Sequence, residues 1–232
     1  MGTTATDPIS LVVFDMAGTT VEDSGLVQQS FLAADSHAGL SKTDADREEM
    51  LRYVSDTMGQ SKIVVFRHLA KGNEEQAQSA NKEFERCYAQ LVAEGNCSPI
   101  SGAEDVITSL RSSGIKTALT TGFAKETQSA IIQALGWQDL ADVVLCPSAD
   151  VRGRPYPDMP LTALMRTRTD SVRSMIVLGD TSSDVISGLR AGARASIGVL
   201  TGAHNRAQLS EAGATHILDS VADLPALVAA LR

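Results

Sequence analysis

The sequence has few of the features that mark a secreted or membrane-spanning protein. Only three of its 232 residues are cysteines, Cys87, Cys97 and Cys146, and their spacing is not that of metal ligands. An odd number of cysteines favours reduced thiols over a disulfide framework, so we expect a cytoplasmic protein. No apolar run approaches the ~20 residues that span a bilayer. Met1–Pro8 lacks the apolar core of a signal peptide and is predicted to be a loose end.

Positive charge is also scarce, because 20 lysines and arginines face 28 aspartates and glutamates, leaving a net charge of −8. Nucleic acids and anionic membranes need a basic surface, so this balance argues against both as partners. A small phosphorylated substrate stays compatible with it, because a few local cations or one metal ion can override the overall sign. The content of 43% hydrophobic and 21% charged residues is typical of a soluble globular protein.

The run Leu11-Val12-Val13-Phe14 predicts a strand that is buried on both faces of a parallel sheet. The run ends at Asp15, which is followed by the turn sequence Ala17-Gly18-Thr19-Thr20. In an open α/β sheet, a carboxylate at the C-terminal end of such a strand points into the crevice where ligands bind. An aspartate after a strand is also a common turn or helix-capping residue, so Asp15 alone is only suggestive.

The sequence pattern divides the chain into a segment of helices only and a segment in which strands and helices alternate. Residues 25–100 are predicted to be all-helical, whereas strands and helices alternate from Gly102 onward. We therefore predict a doubly wound (Rossmann-like) parallel α/β core of residues 1–24 and 101–232 with an inserted helical cap of residues 25–100. The predicted helices are about 26–32, 41–54, 60–71, 74–94, 103–113, 125–135, 161–167 and 185–191, and the later strands are 115–122, 143–145, 175–178, 195–199 and 215–218.

Side chains suited to phosphoryl transfer follow the predicted strands, namely Asp15, Thr121, Gly122, Arg154, Asp180 and Asp184. Asp15 supplies a carboxylate nucleophile. Asp180 and Asp184 offer oxygen ligands for a hard divalent cation, for which we expect Mg²⁺. Thr121, Gly122 and Arg154 supply hydrogen-bond donors for a phosphoryl group. Each residue alone has an ordinary structural explanation, but their joint occurrence at strand ends favours a phosphoryl-transfer site.

Asp15-Met16-Ala17-Gly18-Thr19 resembles the first motif of the haloacid dehalogenase-like hydrolase superfamily, Asp-x-Asp-Gly-Thr, with Ala17 in place of the second carboxylate. The form Asp-x-Ala-Gly-Thr-Thr resembles the phosphonatase-like subgroup, as do Thr120-Thr121-Gly122, Gly153-Arg154-Pro155-Tyr156-Pro157, the stretch from Gly179 to Asp184, and Met58-Gly59-Gln60-Ser61-Lys62. The resemblance implies that Lys62 forms an imine with a carbonyl substrate. We further expect the metal to be held by Asp15, the Ala17 carbonyl, Asp180 and Asp184, and the substrate to contact Ala17, Gly18, Met58, Thr121, Gly122 and Arg154.

The surroundings of Lys62 are compatible with that role. On a helix, Phe66 and Leu69 lie four and seven residues further on, so the lysine sits on the apolar stripe. Most lysines on such a stripe lay their stems along the core. An amine held in an apolar cap and facing Arg154 would instead have its pKa lowered toward that of a nucleophile. An iminium also lets the carbon that leaves phosphorus become an enamine, which does not need the acid that Ala17 replaces.

Three positions depart from the subgroup pattern, because Met16, Val65 and Phe123 stand where it has an aromatic residue, a histidine and a tyrosine. Three functions therefore stay open. The first is a Mg²⁺-dependent phosphonatase-type hydrolase of a small phosphonate aldehyde or ketone. The others are a phosphomonoester phosphatase, of the phosphoglycolate phosphatase kind, without the usual acid, and a non-catalytic phosphate-binding protein. The sequence is compatible with a monomer or a homodimer.

Overall fold

The computed structural model of the protein describes residues 7–231, so most of the predicted loose end at Met1–Pro8 lies outside the described residues. One six-stranded sheet organises the fold, and its strands are β1 (Leu11–Asp15), β2 (Lys116–Thr120), β3 (Val143–Leu145), β4 (Met175–Gly179), β5 (Ala195–Val199) and β6 (His216–Leu218). The strands pair in parallel in the order β3-β2-β1-β4-β5-β6. This arrangement confirms the predicted doubly wound α/β fold.

Helices precede or follow every strand. They are α1 (Leu26–Ala38), α2 (Asp44–Asp56), α3 (Lys62–Leu69), α4 (Glu74–Ala93), α5 (Ala103–Ser112), α6 (Lys125–Leu135), α7 (Asp158–Thr167), α8 (Ser182–Arg190), α9 (Arg206–Glu211) and α10 (Leu224–Ala230). Within residues 7–231, each helix is too short or too polar to cross a lipid bilayer.

The core lies on both faces of the sheet, because successive side chains of β1 point in opposite directions. Val12 and Phe14 pack into the larger hydrophobic cluster, which includes Ile107 of α5. Leu11 and Val13 pack into the smaller cluster, which includes Met159 of α7. Burial on both faces explains why the sequence of β1 is a continuous apolar run.

The four helices α1 to α4 lie between β1 and α5, as the sequence predicted for this part of the chain. Helix α4 packs against α1, α3 and, in the α/β part, α6. The two connections run side by side, since the Glu22 N–H donates to the Ser98 carbonyl at 2.9 Å and the Ile100 N–H donates to the Thr20 carbonyl at 2.9 Å. The division into a core and a cap at residues 25 and 100 stays a prediction.

Several element bounds differ from the prediction. Helix α7 begins at Asp158 rather than Leu161, because Pro160 stands in its first turn, where a missing N–H costs no helical hydrogen bond. Helix α8 begins at Ser182, so Asp184, which was predicted to lie in a turn, belongs to its first turn and forms a capping box with Thr181. Helices α9 and α10 were not predicted.

Candidate active site

Three aspartates meet at the carboxyl ends of two neighbouring strands. Asp15 ends β1 and Asp180 follows β4, which pairs with β1, while Asp184 lies one helical turn beyond Asp180. All three side chains are buried, and each offers a carboxylate oxygen within 4.8 Å of the others. The strand order reverses between β1 and β4, and this is the position at which doubly wound sheets bind ligands.

Asp180 is fixed by two donors and by close backbone approach. The Thr19 hydroxyl donates to its Oδ1 at 3.2 Å, and the Ala203 N–H donates to its Oδ2 at 2.7 Å. A Cβ at Gly202 would lie 2.0 Å from the same Oδ2, so the loop after β5 can come this close to Asp180 only because residue 202 is glycine. Burial, and to a smaller extent the neighbouring Asp184 carboxylate, raise the pKa of Asp180 to about 6 against the lowering effect of these hydrogen bonds.

Arg154 balances part of the negative charge. Its Nη2 lies 2.6 Å from Asp15 Oδ1 in an ion pair, and its Nη1 donates to Asp184 Oδ1. The guanidinium is buried, and its Nε and Nη2 make no aligned hydrogen bond to any described residue. Burial raises the pKa of Asp15 well above its usual range, Arg154 opposes that rise, and Asp184 and Asp180 add to it. A single arginine thus faces three carboxylates, and its Nε keeps donor capacity for an anionic ligand.

The carboxylate cluster fits a hard divalent cation. Oxygen ligands from two or three carboxylates and a carbonyl are the donors that Mg²⁺ prefers. The charge of the cluster exceeds what Arg154 neutralises, and repulsion among the carboxylates adds to the effect of burial in raising the pKa values of Asp15 and Asp180. A bound cation would relieve this repulsion.

Lys62 enters the site from the helical segment 25–100. It is the first residue of α3, and its N–H donates to the carbonyl of Gly122 at 3.3 Å. Its side chain is only 5% exposed, and Nζ lies 5.1 Å from the ring centre of Phe123. Two more aromatic rings, those of Phe84 and Phe31, lie 5.8 and 5.9 Å from Nζ.

Burial is the largest influence on the Lys62 amine and lowers its pKa below the usual value of 10.5. Asp23 and Glu85 oppose that shift, and Arg154 adds to it. The lowering expected from apolar surroundings and Arg154 is therefore present, with burial as the stronger cause. A buried amine with a lowered pKa holds a larger share of the neutral, nucleophilic form at neutral pH.

One cavity of about 300 Å³ brings most of the sequence-predicted residues together. Its walls include Asp15, Ala17, Gly18, Met58, Lys62, Thr121, Gly122 and Asp180. Arg154 and Asp184 do not line this cavity. Arg154 forms an ion pair with Asp15, which does line it, and a second ion pair with Asp184. Arg154 lines an adjoining cavity of about 670 Å³, and Lys62 lines both cavities.

The loop 57–61 lies directly against the ends of β2 and β4. A Cβ at Gly122 would lie 2.5 Å from the Gln60 carbonyl oxygen, and a Cβ at Gly59 would lie 2.4 Å from Thr181 Oγ1. Glycine at both positions lets the two backbones approach closely enough to bring Lys62 over Asp15.

Two carboxylates near Lys62 were not identified from the sequence. Asp23 lines the same cavity as Lys62 and Asp15, and Glu85 lines the adjoining cavity. Asp23 stands just before α1, where an acid is ordinary, and Glu85 is one of several acids on α4, so neither belongs to a recognisable motif. Only the three-dimensional structure brings them to Lys62.

A model of the haloacid dehalogenase-like hydrolase family matches residues 9–192, and the chain belongs to this family of hydrolases. It is 27% identical to the phosphonoacetaldehyde hydrolase of Bacillus cytotoxicus, over 95% of each chain. It is 32% identical to the phosphonoacetaldehyde hydrolase of Bacillus cereus, over 84% of this chain and 76% of that protein. The resemblance inferred from the motifs is confirmed.

Solved structures show the same fold. A phosphonoacetaldehyde hydrolase-like protein from Oleispira antarctica superposes with a TM-score of 0.83 at 24% identity, over 100% of this chain and 95% of that chain. A predicted phosphoglycolate phosphatase from Haemophilus somnus superposes with a TM-score of 0.76 at 18% identity, over 94% of this chain and 97% of that chain. The fold therefore accommodates proteins named for both chemistries, so the choice between them depends on the site.

Proposed function

We propose that this hydrolase is of the phosphonatase type and cleaves the C–P bond of a small phosphonate aldehyde, with phosphonoacetaldehyde as the first candidate. The observation that carries the proposal is that Lys62 and Asp15 line one cavity, the lysine being buried among three aromatic rings. An ester hydrolase needs an acid for its alkoxide leaving group, and residue 17 is alanine. A buried amine, by contrast, has an evident purpose when the substrate carries a carbonyl.

Lys62 acts on the carbonyl carbon. Its neutral amine adds to the aldehyde, and loss of water gives an iminium ion. The iminium accepts the electron pair of the C–P bond, so the carbon leaves phosphorus as an enamine rather than as a carbanion. Protonation of the enamine and addition of water then release acetaldehyde and the free amine.

Asp15 acts on phosphorus. One of its carboxylate oxygens forms a bond to phosphorus as the C–P bond breaks, and water later hydrolyses the aspartyl phosphate to give phosphate. The ion pair with Arg154 favours the ionised carboxylate that attack requires. Thr121, Gly122 and the free Nε–H of Arg154 bind the phosphoryl oxygens.

Mg²⁺ is the proposed cofactor, held by Asp15, the Ala17 carbonyl, Asp180 and Asp184. When bound there, it supplies positive charge that stabilises the phosphoryl oxygens and lowers the repulsion among the carboxylates. Thr19 and Ala203 orient Asp180 toward this task through the hydrogen bonds to its two oxygens.

The helical segment 25–100 is the proposed cap over the site. It supplies Lys62 and Met58 to the cavity, and exclusion of water there protects the imine from early hydrolysis. A cytoplasmic protein, active as a monomer or a homodimer, remains our expectation. The three cysteines are free, which is compatible with a reducing compartment.

A phosphate-release assay that compares phosphonoacetaldehyde with phosphate esters, phosphoglycolate included, tests the proposal. We expect release from the phosphonate and slow release from the esters. Borohydride added in the presence of phosphonoacetaldehyde should trap a covalent adduct on Lys62, detected by peptide mass spectrometry. Lys62→Arg is the matched variant, because guanidinium keeps the charge but cannot form the imine. Fast ester hydrolysis, no adduct and an active Lys62→Arg enzyme would establish a phosphomonoester phosphatase instead.

A further inference from the structure

The proposed imine chemistry needs a proton donor close to Lys62. Addition of an amine to an aldehyde gives a carbinolamine, whose hydroxyl leaves as water only after it gains a proton. Val65, one helical turn after Lys62, is buried and has no proton to give, and Phe123 likewise has no hydroxyl. Another group of the cavity has to supply this proton.

We infer that Asp23 is the general acid and base of the Lys62 imine, an inference that rests on the proposed function. Asp23, Lys62 and Asp15 line the same cavity, so Asp23 faces the space that the aldehyde would occupy. The Asp23 carboxyl donates its proton to the carbinolamine hydroxyl, the C–O bond breaks, and water leaves with the iminium and the Asp23 carboxylate as products. In the reverse direction the carboxylate takes a proton from water as its oxygen adds to the iminium carbon, which restores the carboxyl.

The position of Asp23 suits proton transfer. The Val27 N–H donates to Asp23 Oδ1 at 3.1 Å and anchors the carboxyl at the start of α1. Among the described residues, no hydrogen bond engages Oδ2, so this oxygen is free to exchange a proton with a ligand. Burial raises the pKa of Asp23 to about 6, against the Val27 hydrogen bond and the charge of Lys62. A carboxyl with that pKa can give and take a proton at neutral pH.

The charged groups around this pair come from several elements. Lys62 on α3 and the Tyr88 phenol on α4 face Asp23. Burial raises the pKa of Tyr88 far above its usual range, so the phenol stays protonated at neutral pH. Glu85, Arg154 and Asp15 also act on the Lys62 amine.

Glu85 does not meet the same requirements. Its Oε1 accepts the Ala124 N–H at 3.2 Å, and its Oε2 is buried without a partner among the described residues. It lines the adjoining cavity rather than the one that contains Asp15. Glu85 therefore serves as a nearby negative charge for Lys62, which makes it the informative comparison for Asp23.

Timed trapping of the Lys62 imine with acetaldehyde tests the inference without any phosphorus chemistry. Enzyme and acetaldehyde are mixed, borohydride is added after set intervals, and the Lys62 adduct is quantified by mass spectrometry. General acid catalysis changes the rate of approach to equilibrium and not the final fraction of adduct. We expect Asp23→Asn, which keeps an oxygen for the Val27 N–H, to slow the approach about 100-fold with the same final fraction.

Two control variants separate the possible outcomes. Glu85→Gln removes a negative charge near Lys62 and is expected to shift the pH dependence of adduct formation, with a much smaller loss of rate. Glu22→Gln changes the charge at the neighbouring exposed position and is expected to behave as the wild type. An Asp23→Asn rate within threefold of wild type, or an equal loss in Glu85→Gln, would overturn the role of Asp23. A wild-type enzyme that forms no Lys62 adduct would instead overturn the proposed function.

A wild-type measurement keeps the inference testable if Asp23→Asn does not fold. After dilution of preformed imine, the dissociation rate should rise with pH, reach about half of its final value near pH 6 and level off above about pH 7, because the Asp23 carboxylate accepts the proton of water. A dissociation rate that does not change between pH 5 and 7 would exclude Asp23 as the base.

Discussion

The reactivity proposed for Lys62 comes mainly from its burial and only secondarily from a neighbouring cation. Three aromatic rings surround Nζ, and desolvation has the largest effect on its pKa, ahead of the smaller effect of Arg154. The aromatic rings also offer their negative faces to a cation, which offsets part of the cost of burying a positive charge on the ammonium ion or on the iminium.

Lys62→Met should give a more stable and inactive protein. The unfolded state binds more protons than the folded state between the lowered pKa of Lys62 and 10.5, so in the wild type the free energy of unfolding rises with pH over that interval. Methionine cannot titrate, so its advantage should be largest near neutral pH, about 0.5–2 kcal/mol, and should shrink toward pH 10. Urea unfolding at pH 7 and pH 10 measures both values. An advantage that grows with pH would contradict this account of Lys62.

Asp15→Asn should abolish phosphate release and leave the imine intact. The amide is nearly isosteric with the carboxyl but is a poor nucleophile, so attack on phosphorus stops. Addition of Lys62 to the aldehyde precedes that attack, so borohydride should still trap phosphonoacetaldehyde on Lys62 in this variant. Circular dichroism and the trapping yield serve as controls for folding, and phosphate release near the wild-type rate would exclude Asp15 as the nucleophile.

At the scale of elements, the approach of loop 57–61 to the end of β2 determines where Lys62 lies relative to Asp15. A Cβ added at Gly122 meets two backbone carbonyls, of Gln60 at 2.5 Å and Gly59 at 2.9 Å, and backbone cannot move aside as a side chain can. Gly122→Ala should therefore lower kcat/KM about 100-fold by displacing the loop, and destabilise the fold by about 1–3 kcal/mol. Steady-state kinetics and urea unfolding measure the two effects.

A matched glycine substitution away from the site controls for that prediction. Gly136 ends α6 in the left-handed region with φ 69°, and nothing lies within 4 Å of a Cβ there. Asparagine tolerates this conformation, so the Gly136→Asn enzyme should have the kcat/KM of the wild type. Equal losses of kcat/KM in both variants would mean that the close approach at Gly122 has no special importance.

The sequence predicted elements well wherever burial imposes a periodic pattern. The strand β1 and the helix α6 were found because a two-face buried strand is a continuous apolar run and α6 ends at a glycine. The short helix α9 was missed because only Leu209 is buried in it, which leaves no stripe to recognise. The bounds of α7 and α8 were misplaced because proline and small polar residues, typical of turns, also begin helices.

The candidate site was predictable to the extent that it consists of strand ends. Parallel strands end on one edge of the sheet, so Asp15, Thr121 and Asp180 were expected to meet from spacing alone. Asp23 and Glu85 come from helices and connections whose approach to Lys62 depends on how α1 and α4 pack, and this packing leaves no local signature in the sequence. Resemblance to a family also gives no indication of residues that lie outside its motifs.

For the whole molecule, the net charge of −8 coexists with a buried cluster of three carboxylates and a single pairing arginine. EDTA should abolish activity and added Mg²⁺ should restore it. Mg²⁺ at about 100 times its dissociation constant would stabilise the folded state by about 2.7 kcal/mol, which for a chain of this size raises Tm by about 5–10 °C. Asp180→Asn should lose most of this Tm increase, and full activity in a metal-stripped sample would exclude the site.

The chain leaves the α/β part and returns to it through two backbone segments that are hydrogen-bonded to each other at Glu22 and Ser98. No strand pairing of the sheet involves a residue between them. Evolution can therefore lengthen, shorten or exchange everything between these two points while the strand register and Asp15 stay in place. Because Lys62 and Asp23 both lie within that stretch, one recombination event would move both residues of the proposed imine chemistry together.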